Sequence, residues 1–167
     1  MNAPVKTPRP EAGTLRPATP DDIAFIMRTE RSPGYPELVG TYDKQTHLRL
    51  MAMPLVRYVV YELDRAPLGF AELRRDVDGM GNVQLHRLAV APAGRGHGAL
   101  FLSALCADVF SDPEIGRIWL DLLPDNLRAR RVYEKTGFRI EGTMRSALRL
   151  PDGTRRDLLL MGHLRTD

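Results

Sequence analysis

The chain has 167 residues, 43% hydrophobic and 27% charged, which fits one globular domain with room for a core. Its net charge is +3, with basic residues scattered and grouped only at Arg128, Arg130 and Arg131. That is not the concentrated basic face of a nucleic-acid binder, and no apolar run approaches the roughly 18–20 residues of a membrane span. One cysteine, Cys106, allows no internal disulfide. The first residues lack the apolar stretch of a secretory leader, so the expected compartment is the cytoplasm.

Residues 1–13 are rich in proline and small side chains and read as a flexible tail, leaving 14–167 as a single domain without internal repeats. A short strand is expected over 15–18. Thr19, Pro20, Asp21 and Asp22 then form a helix start: a capping hydroxyl, proline in the first turn and acids at the positive helix end. The proline and glycine of 32–36 break that helix, and a second is expected over 43–51. Strands over 57–63 and 68–75 form a hairpin, and Asp78-Gly79 turns the chain into a third strand over 83–90. Leu100, Phe101, Leu102, Leu105, Val109 and Phe110 recur at helical spacing. A strand over 117–123, a short helix over 126–135 and a closing hairpin of 138–150 and 155–164 complete the order. The expected fold is α/β, a mixed, mostly antiparallel central sheet flanked by helices.

Between the third strand and its helix, glycines alternate at Gly94, Gly96 and Gly98, with Arg95, His97 and Ala99 between and after them. Missing Cβ atoms let the backbone approach a ligand, and successive N–H groups at a helix N-terminus attract phosphate. A tight turn without a ligand is the plainer reading, although one glycine would suffice for it. There is no Gly-Lys-Ser/Thr, which excludes a Walker loop. A dinucleotide site is the alternative, with Asp121 at about the right distance, but the third glycine has the wrong spacing and too little chain follows for further parallel units.

Asn126, Ala129 and Tyr133 fall on one face of the short helix, followed by Gly137-Phe138. In isolation the plainer reading is preferred, with Asn126 only a helix cap and Tyr133 a half-buried aromatic. Together with Leu88-Ala89-Val90 and the glycine loop, this second motif resembles the GNAT superfamily of N-acetyltransferases. The closing segment, Glu141 to Arg145 and on through Asp157 to Met161, looks like its ribosomal-protein, polyamine and small-amine branch. The resemblance implies the GNAT-like acyl-CoA N-acyltransferase fold, with acetyl-CoA as co-substrate and a primary amine as acceptor.

By position it implies that Leu88, Ala89 and Val90 pair with the pantetheine arm like an added strand. The amides of Gly94, Arg95, Gly96, His97, Gly98 and Ala99 would hold the pyrophosphate, and Asn126 the arm. Tyr133 would stand at the sulfur as general acid. Ala93 occupies a place where the family usually has Gln or Arg.

An amine attacks a thioester only after losing a proton. Asp121, among Trp119, Leu120 and Leu122, is the first candidate to take it, with Glu72 and His86 as alternatives. The backbone N–H of Val90 is the expected oxyanion donor. No histidine pair has metal-ligand spacing, so no metal is expected. The acceptor would enter past Glu30, Tyr35, Glu37 and Tyr42, beside Met144 and Arg145. A catalytically silent CoA-binding module and, less well supported, a dinucleotide-binding oxidoreductase are the competing functions. Neither nucleic acid nor a membrane is an expected partner, and a homodimer is allowed for.

Overall fold

A computed structural model describes residues 12–167, so residues 1–11 of the expected tail lie outside the described residues. Gly13 is already tied to the domain: its N–H donates to the Tyr61 hydroxyl at 2.7 Å. β1 (Thr14–Pro17) leads into a 3₁₀ turn at Pro20–Asp22, where Thr19 and Asp22 cap each other, and then α1 (Ile23–Glu30). The 32–36 break leads into a further single turn, α2 (Pro36–Val39), which the sequence pattern does not show. α3 (Lys44–Met51) starts where Asp43 accepts the Thr46 N–H.

β2 (Val56–Leu63), β3 (Ala66–Arg75) and β4 (Asn82–Val90) form an antiparallel meander. α4 (His97–Val109) crosses over to β5 (Arg117–Leu122), followed by α5 (Leu127–Lys135), β6 (Arg139–Arg149) and β7 (Arg155–Leu164). The sheet order is β1-β2-β3-β4-β5-β7-β6, and only β4 and β5 run parallel. A doubly wound dinucleotide fold needs a run of parallel strands, so that alternative is overturned.

Strand alternation divides the core between two faces. On one, Phe101, Leu102 and Leu105 of α4 pack on Val59, Tyr61, Ala71, Leu73, Val83 and Leu85, and the Phe101 ring stacks on Tyr61 at 4.9 Å. Each buried Val, Leu or Phe among them contributes about 1.5–3 kcal/mol. On the other face, Ile26 and Phe25 of α1 and Leu50 and Met51 of α3 cover Tyr58, Phe70 and Ala89.

Candidate active site

The site exists because β4 and β5 part company. They pair only at Asn82, Val83 and Gln84. Immediately afterwards the β3–β4 ladder slips: Leu73 faces Leu85 and Glu72 faces Arg87, which leaves His86 as the extra residue of a bulge. A bulge bends its strand and increases its twist, so β4 follows β3 away from β5. A cleft of about 350 Å³ opens between β4, the glycine loop and α5.

The ladder also settles which backbone groups face the cleft. Ala91 donates to Leu68 across the β3 side. The N–H and C=O of one strand residue point the same way, and successive residues alternate, so those of Val90 and Leu88 face the cleft and those of Ala89 face β3. Ala89 is also 1% exposed and packs under α1. Of the three residues expected to pair with the pantetheine arm, Leu88 and Val90 therefore present backbone to the cleft and Ala89 does not. The Val90 N–H, the expected oxyanion donor, already donates to the Tyr35 hydroxyl at 3.1 Å.

The glycine loop ends in an open helix terminus. Gly94 and Gly96 both have φ +83°, the left-handed region that favours glycine. Gly96 is the N-cap of α4, and no side chain caps it. The first N–H groups of a 13-residue helix are thus aimed at the cleft without a side-chain acceptor. His97 Nδ1 is buried there with no hydrogen-bond partner. Arg95, Arg128 and Lys135 also line the cleft. This donor set fits a phosphorylated ligand such as CoA: uncapped amides, an orphaned imidazole nitrogen and three cations.

On the opposite wall, α5 holds Asn126 and Tyr133. The Asn126 Oδ1 accepts the Ala129 N–H at 3.2 Å, so the capping reading is correct as far as it goes, and the residue lines the cleft as well. Gly137-Phe138 is the helix stop: Gly137 has φ +99°, its N–H bonds Glu134 and the Phe138 N–H bonds Tyr133. This is a Schellman motif. Its hydrophobic contact is the Tyr133–Phe138 ring pair, 5.7 Å apart. The glycine is fixed by space too, because an added Cβ would lie 2.9 Å from His163 Nε2. The cap therefore sets where the Tyr133 ring enters the cleft. Burial, then the nearby Tyr35 and Asp121, push the Tyr133 phenol well above its ordinary value.

The candidate bases separate. Asp121 lines the cleft; burial raises its carboxyl, and a 3.4 Å hydrogen bond from Gln84 offsets this in part. His86, the bulge residue, also lines the cleft, with its pKa lowered chiefly by burial and its Nε2 3.4 Å from the Tyr42 hydroxyl. Glu72 does not line it. It is fully buried and accepts from Tyr58 at 3.1 Å and Arg74 at 2.7 Å. Glu30, expected at the acceptor entrance, is also fully buried, held by Arg87 at 2.7 Å and Arg31 at 2.8 Å. Sequence reasoning did not assign Tyr35 to the cofactor half of the cleft, nor did it place Arg128 and Lys135 there. Their signal was faint: cations at i and i+7 on one helix face. Among the described residues no group of His, Cys, Asp and Glu could hold a metal, and no helix is long and apolar enough to cross a membrane.

Comparison with known proteins agrees with this geometry. The chain is 45% identical over 60 residues to a kanamycin resistance protein of Rhizobium radiobacter, covering 36% of this chain and 52% of that protein. It matches an aminoglycoside N(6')-acetyltransferase type 1 of Klebsiella pneumoniae at the same identity, over 36% of this chain and 28% of that protein. The match thus spans about half or less of the length of these curated relatives. An aminoglycoside acetyltransferase solved with acetyl-CoA superposes with TM-score 0.73 at 28% identity, covering 93% of this chain and 95% of that one. A spermidine N-acetyltransferase chimera from Vibrio cholerae shares the fold, with TM-score 0.81 at 21% identity over 93% and 97% of the two chains. The model of the acetyltransferase (GNAT) family matches residues 24–138, and with the split strand, the open helix terminus and the α5 motif on that stretch, the chain belongs to that family.

Proposed function

We propose that this protein transfers the acetyl group of acetyl-CoA to a primary amine by direct attack on the thioester. The observation that carries the reading is the cleft itself. Unpaired β4 backbone and an uncapped α4 N-terminus lie along one side, with Asp121, Asn126 and Tyr133 on the other. The open edge of Leu88 and Val90 suits an extended arm carrying amides, and the glycine loop suits its pyrophosphate. The Leu88 N–H, which faces the same edge nearer the bulge, is the better donor to the thioester oxygen. Asp121 receives the ammonium proton, and the Tyr133 hydroxyl donates to the sulfur as it departs. His86 stands second as base, and Glu72 is too enclosed to reach an acceptor.

Relatives named for kanamycin, aminoglycosides and spermidine support an amine acceptor.

The deciding experiment measures release of free CoA from acetyl-CoA with a panel of amines: kanamycin, spermidine and a peptide N-terminus. Tyr133→Phe keeps the ring and its Phe138 contact and removes only the donor. Turnover should fall by about 10²–10⁴-fold, with thermal stability and acetyl-CoA affinity unchanged. A protein that binds acetyl-CoA but turns over no amine would be the silent CoA-binding module instead. If the variant runs within about threefold of the parent, well short of the range for such roles, Tyr133 is structural.

A further inference from the structure

Tyr35 does something in the cleft that the acetyl-transfer reading leaves unexplained. Its hydroxyl accepts the Val90 N–H at 3.1 Å and donates to the Val90 carbonyl at 2.9 Å. One side-chain hydroxyl thereby satisfies both backbone polar groups of the β4 residue that faces the opening. An amide of an arm lying along that edge would use the same two groups, donating one bond and accepting the other. Across the cleft, the Arg128 guanidinium lies 5.6 Å from the Tyr35 ring centroid. The side chain therefore spans from β4 to α5.

The segment carrying Tyr35 is fastened at its two ends and has a glycine on either side of its middle. Arg31 donates to Glu30 Oε1 at 2.8 Å and to the Tyr42 carbonyl at 2.8 Å. The Tyr42 N–H returns to the same Glu30 oxygen at 3.0 Å. Both ends of 31–42 thus meet at one buried carboxylate, which Arg87 fixes to β4. Between those ends, Gly34 and Gly40 stand at φ +85° and +66°, on either side of Tyr35 and α2. Glycines at such angles accept large changes of backbone direction that other residues resist.

We infer that Tyr35 is a cofactor-half residue: its hydroxyl holds the Val90 N–H and carbonyl, and the pantetheine arm of CoA displaces it. This rests on the acetyl-CoA reading above. Buried backbone groups carry a cost when left unpaired, and the hydroxyl keeps the split edge satisfied until the arm arrives. Release of Tyr35 moves the tip of 31–42, the segment beside the acceptor's expected entrance. Arm binding and acceptor access are then coupled through a single exchanged pair of hydrogen bonds. In this role the hydroxyl competes with the ligand, so its removal strengthens binding.

The test is calorimetric affinity for CoA and for adenosine 3',5'-bisphosphate, which lacks the arm, in the wild type and in Tyr35→Phe. The phenylalanine keeps the ring and its place by Arg128. Two displaced hydrogen bonds of ordinary net strength should make CoA bind about five- to 150-fold tighter in the variant. The bisphosphate should bind both proteins alike. Equal CoA affinities would overturn the inference. So would weaker CoA binding in the variant, which would mean that the hydroxyl contacts the bound arm. A gain shared by the bisphosphate would place the effect outside the arm and overturn it too. If CoA binds neither protein, it is the acetyl-CoA reading that fails, a separate result.

Discussion

Burial acts on Asp121 and Tyr133 in the same direction, with opposite consequences. Each is raised above its ordinary value. A phenol raised further stays protonated across the working range, so Tyr133 contributes a hydrogen bond rather than a titrating proton. A departing thiolate, with an ordinary pKa of about 8.5, is in any case less basic than a phenolate at about 10. A carboxyl raised by burial binds its proton more readily and becomes a better base for an ammonium. The base must be unprotonated to act, so activity falls as pH drops through the Asp121 pKa. Because that pKa is raised, the acidic limb should begin at higher pH than an exposed aspartate would give. Asp121→Asn should lower turnover by about 10²–10⁴-fold and remove that limb, with acetyl-CoA affinity preserved. A pH–rate profile that keeps the limb in the variant would assign the proton to His86, the other titratable side chain proposed as a base that lines the cleft.

At the scale of elements, the informative comparison is between glycines. Gly94 and Gly96 are held at positive φ, so any substitution there strains the backbone and blurs a binding test. Gly98 is different: it lies in the first turn of α4, and an added Cβ would meet nothing within 4 Å. Its lack of a side chain serves access, since the open space is the cleft it lines. Gly98→Leu should therefore leave unliganded stability level or slightly higher, because glycine is the poorer helix former by about 0.8–1 kcal/mol. The same change should weaken acetyl-CoA binding by about tenfold or more, that is, at least about 1.4 kcal/mol. Native affinity in a well-folded Gly98→Leu protein would contradict the placement of the cofactor at this terminus. Much of this level was readable in the sequence, because apolar periodicity, proline, glycine and capping residues act over a few positions. α4 and α5, and the glycine loop between strand and helix, fall where local pattern puts them. The bulge at His86 was not readable, since it is a property of the β3–β4 register and not of either strand. Nor were Tyr35 on Val90 and Glu30 on Arg87, which are 55 and 57 positions apart and meet only through tertiary packing.

For the molecule as a whole, Glu30 is the point where α1, α3, the 31–42 segment and β4 are joined. It is fully buried and accepts from Arg87, Arg31 and the Tyr42 N–H, with His47 Nε2 at 3.4 Å. His47 continues to the Tyr58 hydroxyl at 3.1 Å, and Tyr58 donates to buried Glu72. Burial alone would raise the Glu30 carboxyl. Hydrogen bonds from His47 and Tyr42 and the charge of Arg87 outweigh it and hold the group below the usual carboxylate range. Removing this carboxylate takes a shared acceptor from several donors at once, including the guanidinium of Arg87, itself 3% exposed. Glu30→Ala should cost about 3–5 kcal/mol, the usual loss when one partner of a buried pair is deleted. Arg87→Met should cost less, because Glu30 keeps Arg31, Tyr42 and His47. The sign of the pH dependence follows from the depressed pKa. Its contribution is fully present above the pKa of an unfolded glutamate and is lost as pH falls through the lower folded value. Urea unfolding of the wild type and Glu30→Gln across the acid range measures this directly. The wild type's advantage should be full at neutral pH and shrink toward zero once the folded carboxyl is protonated. A deficit in Glu30→Gln that stays constant down to the lowest pH at which both proteins fold would mean that shape, not charge, holds these four elements together.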